Sequence, residues 1–142
     1  MNPHQAVTIG FDVESSRLVQ LAPPPQVAPR CPRCQRTGKM ETTRPSNRKG
    51  NAGRDYYKCH PCNKFLVFVD YRGNDPSNPL CHCRASSKTQ MAGPGKRVAR
   101  GLHYVCRLGR CDFYQVYQNV QGQHLTVSSD DLAEHLINLS IV

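Results

Sequence analysis

The chain has 142 residues, of which 38% are hydrophobic and none is Trp, and it carries a formal charge of +9. That apolar share falls below the roughly 45–50% of ordinary domains, and Gly and Pro supply a further 10 and 11 residues. Size and composition exclude a TIM barrel, a doubly wound sheet or a large enzyme core. A folded unit this small ordinarily needs disulfides or a metal.

No stretch approaches the roughly 18 consecutive apolar residues of a membrane span. Met1–Gly10 lacks the basic start and apolar run of a secretory signal. A protein that is neither secreted nor in a membrane is expected, so the eight cysteines read as metal ligands before disulfides. Residues 30–110 hold 18 of the 19 Lys and Arg but only four of the 10 Asp and Glu. From Cys111 onward there is no Lys or Arg. A polyanion such as nucleic acid is the partner this distribution implies.

In chain order, residues 1–30 read as a flexible leader. Ala22–Pro29 is proline-rich and favours polyproline II over a helix or central strand, and Phe11–Leu21 alternates only weakly. The cysteines then fall into two sets. Cys31-x-x-Cys34 is followed after 24 residues by Cys59-x-x-Cys62, and Cys81-x-Cys83 after 22 residues by Cys106-x-x-x-x-Cys111. The leading cysteines are 50 residues apart and the third ones 47, an imperfect tandem repeat. Two similar modules, 31–70 and 81–120, are expected on either side of a turn-rich linker, 71–80.

Strand signals recur around the second pair of each set: Arg54–Lys58 and Phe65–Val69, then Leu102–Val105 and Phe113–Tyr117. The basic stretches Arg36–Asn51 and Ala85–Arg100 read as mobile or hairpin-like loops. In the tail, 121–142, Ser128-Ser-Asp-Asp131 fits a capping box with Ser128 as N-cap. Leu132, Leu136 and Leu139 follow at helical spacing, predicting a short helix at about 129–138. Its simplest role is to cover the apolar side of a module.

Structural zinc takes four tetrahedral soft ligands, delivered as two close pairs from separate loops. Cys31, Cys34, Cys59 and Cys62 follow that pattern strictly; Cys81, Cys83, Cys106 and Cys111 have a shorter first gap and a longer second. Two zinc ions are the expected cofactors, with an iron–sulfur centre the lesser alternative. His60, His82 and His103 stand near ligand cysteines, but four cysteines already complete each site, so these read as surface or supporting groups. A closed Cys₄ site offers water no coordination position. No deaminase His-x-Glu, Walker loop or Gly-x-Ser-x-Gly elbow is present. No enzymatic activity is expected and no catalytic residue is assigned.

Asn51-Ala-Gly53-Arg54-Asp-Tyr56-Tyr57-Lys-Cys59 resembles the Asn-x-Gly-Arg-x-Phe-Tyr-x-Cys segment of the GRF-type zinc finger and its GRF-like zinc ribbon relatives. Cys81-His-Cys83 matches the opening Cys-x-Cys of that family, and Cys111-Asp-Phe113-Tyr114 resembles its closing Cys-x-Phe-Phe. The resemblance implies a zinc ribbon that binds single-stranded DNA, with Arg54 on phosphate. Repeat one departs from it by opening with Cys-x-x-Cys, and the family's terminal Trp has no counterpart.

Nucleic-acid grooves combine Lys and Arg for phosphates with aromatic faces for bases. All ten aromatic residues but Phe11 lie within 56–117. With Arg54, the candidate contacts are Tyr56, Tyr57, Lys58, Lys96, Arg97 and Arg100. Tyr56 and Tyr57 would point to opposite faces of a strand, so one of them is expected in the core. The expected fold is small, β-rich and zinc-dependent: two tandem Cys₄ zinc ribbons of antiparallel strands, a disordered N-terminal leader and a short C-terminal helix. The expected function is zinc-dependent binding of single-stranded DNA or RNA, with the nucleus, or otherwise the cytoplasm, as its place. The alternative is a zinc-ribbon adaptor that docks a protein partner through the C-terminal helix.

Overall fold

The computed structural model describes residues 20–47 and 50–142, so the expected leader up to residue 19 lies outside the described residues. Two three-stranded antiparallel sheets follow one another along the chain. The first is built from β1 (Lys39–Thr42), β2 (Asp55–Cys59) and β3 (Lys64–Phe68), with β2 central. The second is built from β4 (Lys88–Met91), β5 (Leu102–Val105) and β6 (Tyr114–Val116), with β5 central. In each, the aromatic and branched residues of the two later strands make a hairpin that carries the second cysteine pair at its tip.

The first strand of each sheet lies inside a basic stretch that reads from sequence as mobile or hairpin-like, and corrects that reading to regular strand. Lys-Met-Glu-Thr and Lys-Thr-Gln-Met hold few strand formers. They are extended because a central strand offers them a ladder: Lys39↔Lys58 through Thr42↔Asp55, and Lys88↔Val105 through Met91↔Leu102.

The helix α1 (Asp130–Asn138) forms one residue later than its capping signal suggests. Ser129, not Ser128, is the N-cap; its hydroxyl accepts the Leu132 N–H, which places Asp130 and Asp131 together in the first turn. Residues 117–127 double back, with the Leu102 N–H bonded to the Leu125 carbonyl and the Tyr117 N–H to the Leu102 carbonyl. Leu102, Leu125, Val127, Ala133, Leu136, Ile141 and Val142 then form one buried cluster. The tail thus completes the second module. No helix among the described residues is long and apolar enough to cross a membrane.

The stretch 71–80 is turn-rich as expected, but it is packed between the modules. Asn74 is fully buried, and its side-chain amide donates to the carbonyls of Ala22 and Asp70. Gly73, at φ +77°, donates to the Ser140 carbonyl and accepts from the Thr89 N–H. A Cβ there would sit 2.1 Å from the Thr89 oxygen, so only glycine fits. Around these turns lies an ionic hub. Asp70 accepts two bonds from Arg54 of the first module, at 2.6 and 2.8 Å, and one from the fully buried Lys88 of the second, at 2.9 Å.

Candidate metal centres and nucleic-acid interface

The structure brings together both cysteine sets that the spacing pairs. Sγ atoms of Cys31, Cys34, Cys59 and Cys62 lie within 4.8 Å of one another, as do those of Cys81, Cys83, Cys106 and Cys111. Tetrahedral zinc with bonds of about 2.3 Å requires sulfurs roughly 3.8 Å apart. Cys34 and Cys59 stand at 3.4 Å, Cys81 and Cys106 at 3.7 Å. All eight cysteines are free of disulfides. Each cluster can therefore hold one zinc ion.

Local backbone geometry explains how four thiols are gathered. A residue in the left-handed region closes the turn of each pair: Gln35, Asn63, Arg84 and Gly109. The Cys83 N–H then bonds the Cys81 sulfur at 3.3 Å, and the Arg110 N–H the Cys106 sulfur at 3.4 Å. Burial pushes the Cys31 thiol up. Bonds from the N–H groups of Cys34 and Arg33 and from neighbouring thiols outweigh that and bring it down to about 7. Its neighbours pay for this: Cys62 is pushed up to about 12, by its bond to Cys34 and then by burial. In the second set, burial and then Cys111 push Cys83 up to about 12. Four thiols this close ionise together only around a cation, and a divalent ion supplies that charge.

The three histidines stand outside both sets. His60 reaches Glu41 at 3.3 Å, His82 reaches Asp112 at 3.7 Å, and His103 stacks on Tyr114 with ring centres 5.1 Å apart.

Residues 28–72 match the model of the GRF-like zinc ribbon domain. The first module is a GRF-type zinc ribbon. A solved structure of human NEIL3 tandem zinc finger GRF domains is similar at 24% identity, covering 62% of this chain and 96% of that one, with a TM-score of 0.25. No curated protein gives a significant match.

The ribbon sheet separates the candidate nucleic-acid residues. Register pairs Lys39 with Lys58, Glu41 with Tyr56, Tyr56 with Phe68 and Lys58 with Phe65, placing all six on one face. Tyr57 pairs with Met40 and Val67 on the other face, where Val67 is fully buried, so Tyr57 is the core-side member of the two tyrosines. Tyr56, Phe65 and Phe68 form an aromatic cluster with ring centres 4.8 to 6.2 Å apart. A groove of about 340 Å³ runs beside them, lined also by Lys58, Asn47 and Asn51.

Arg54 has a different place from the one the resemblance implies. It is buried, with Nε and one terminal nitrogen on Asp70, the other 3.1 Å from Asn51 Oδ1, and its guanidinium 3.7 Å above the Phe68 ring. With every guanidinium nitrogen engaged, it supports the aromatic cluster from behind and joins it to the hub. Lys96 and Arg97 are exposed in the β4–β5 connection, and Arg100 is paired with Asp130 at the start of α1. On the apolar side of α1, Ala133 and Leu136 are buried in the second module's core, while Ala133, Glu134 and Ile137 also line a groove of about 450 Å³ together with Gly50 and Met91.

Lys39, Phe65 and Phe68 were missed by sequence reasoning. Phe65 and Phe68 are three apart and would face opposite ways in a regular strand. A bulge places Leu66 as an extra residue between Val67, opposite Tyr57, and Phe65, opposite Lys58, and so turns both rings to one side.

Proposed function

We propose that the exposed face of the β1–β3 sheet binds single-stranded nucleic acid, and that the chain acts as a binding module rather than an enzyme. The observation that carries this reading is the Lys39↔Lys58 pair. Like charges directly opposite on neighbouring strands destabilise a sheet. Neither lysine has an ion pair among the described residues. A phosphate between them relieves that repulsion, while Tyr56, Phe65 and Phe68 offer ring surface to bases.

Phe65 is 42% exposed, so a base can reach it without rearrangement of the sheet. Glu41 tempers the field of this face, accepting from the Tyr56 hydroxyl at 3.0 Å and fixing that ring's orientation. The ribbon match over 28–72 agrees with the family resemblance, and it is that resemblance which implies the single-strand preference. Catalysis has no support in the metal centres, whose four thiolates close the coordination shell.

The test is fluorescence anisotropy of the zinc-loaded protein with labelled single-stranded DNA and RNA, beside a duplex probe. Lys39→Ala and Lys58→Ala should each lower the slope of log affinity against log salt by about 1. Phe65→Ala should weaken binding by about tenfold with the slope unchanged. Binding that ignores both lysines, or favours the duplex, overturns the proposal.

A further inference from the structure

We infer that the groove between the two modules is a second base-binding site, which continues the strand from the ribbon face onto the second module. The inference rests on the nucleic-acid reading above and adds where the strand goes. Phe65 lines both the ribbon-face groove and a second one, of about 320 Å³, bounded by both modules. In the second groove the first module contributes Lys64, Phe65 and Leu66, and the second contributes His103, Phe113 and Tyr114. One aromatic ring therefore belongs to two adjoining grooves, and a strand seated on Phe65 from one side has a walled path onward.

The far wall suits a base. Tyr114 is 60% exposed and stacks nearly parallel on His103, at 5.1 Å and 28°, so a broad flat ring surface faces solvent. Burial lowers the His103 pKa, which keeps that imidazole neutral and the stack apolar. Phe113 borders the same groove and is held edge-on by His82 at 5.4 Å. Lys64 supplies a cation at the junction; Asp112 also lines the groove, beside His82. The lining thus offers ring surface with one cation and one carboxylate, and ring faces take bases with little preference among them.

The relative position of the two modules is fixed where the groove needs it. Gly109, at φ +69°, lies against Val67 of β3, and a Cβ there would stand 2.7 Å from the Val67 side chain. Asp70 and Lys88 close the other contact. The groove is consequently a standing feature of the fold.

The test compares oligothymidylates of four and twelve nucleotides against the zinc-loaded full chain. Wild type should bind the longer one more tightly than the added number of registers explains. Tyr114→Ala should weaken the twelve-mer about tenfold and leave the four-mer unchanged. Tyr114→Phe should restore the twelve-mer, since the ring and not the hydroxyl does the stacking. Lys58→Ala should weaken both lengths. Equal effects of Tyr114→Ala at both lengths, or none at either, overturn the groove site while leaving the ribbon-face site standing. Failure of wild type to bind either oligonucleotide at low salt overturns the ribbon-face reading and the groove with it.

Discussion

Asp70→Asn is the substitution that most directly tests the ionic hub. The carboxylate joins Arg54 of the first module to Lys88 of the second and also accepts the Arg72 N–H at 3.2 Å. Burial opposes its ionisation, yet the Arg54 bonds and the Lys88 charge overcome that and hold it at about 2, against 3.8 ordinarily. That difference corresponds to roughly 2 kcal/mol of native-state stabilisation. Asparagine keeps the shape but leaves a buried guanidinium and a fully buried ammonium without an anion, for which about 3–5 kcal/mol is typical. A loss near 3 kcal/mol is expected, a fall in Tm of about 10 °C for a chain of this size.

Lys88→Met is the counterpart that makes this test decisive. It removes a buried charge whose desolvation outweighs its pairing, while Asp70 keeps both Arg54 bonds. A cost of about 1 kcal/mol is expected, from the donors lost to Asp70 and Asn74. Urea unfolding in saturating zinc, followed by circular dichroism, reads both variants. If Lys88→Met costs as much as Asp70→Asn, or Asp70→Asn costs under 1 kcal/mol, the account of the hub is wrong.

The same lysine sets a pH dependence. Its folded pKa is lowered from 10.5 to about 8, chiefly by burial, so between those values the unfolded chain binds the additional proton and stability rises with pH. Wild type should gain on the order of 2 kcal/mol between pH 8 and 9.5, a gain that Lys88→Met lacks. Two glycines with similar φ should separate clearly in thermal melts. Gly53→Ala meets nothing within 4 Å and should cost about 1 kcal/mol, whereas Gly73→Ala collides with the Thr89 carbonyl and should cost more than about 3 kcal/mol. Exhaustive chelation should release two zinc equivalents and abolish the sheet signal, because metal binding at such sites is folding free energy of about 10 kcal/mol or more. Cys34→Ala should retain one equivalent; two would refute the assignment of that cluster.

The metal centres were legible in the sequence because their chemistry is local. A pair of cysteines a few residues apart makes one turn, and two such turns make one site, so spacing alone states the geometry. Even the irregular set, Cys81 to Cys111, obeys this, since Arg84 and Gly109 close its turns in the left-handed region. Strands β2, β3, β5 and β6 were legible for a similar reason: their residues prefer extended backbone. Strands β1 and β4 were not, because Lys39–Thr42 and Lys88–Met91 are extended only by virtue of a partner strand. Propensity has no access to that partner.

The ribbon face was half legible, and the reason lies in one residue. Tyr56 and Lys58 alternate as a strand requires and stayed together; Tyr57 went to the opposite side. Leu66, as the bulged residue, shifts the phase of β3 and delivers Phe65 and Phe68 to the same side as Tyr56. Arg54 was misplaced for a different reason. Its acceptor Asp70 lies 16 residues away, and only the packed stretch 71–80, with Asn74 buried and Gly73 against Thr89, brings Asp70 between Arg54 and Lys88. A stretch rich in turn formers is compatible with a free tether or a packed corner alike. What decides is whether its polar groups find buried partners, and here Asn74 finds Ala22, Asp70 and Lys88, and Asn78 finds Gly73, Ser87 and Thr89. The cation that sequence pattern would send to phosphate is thereby drawn inward, and under the function proposed above the outer role falls to the lysines left opposite one another on β1 and β2.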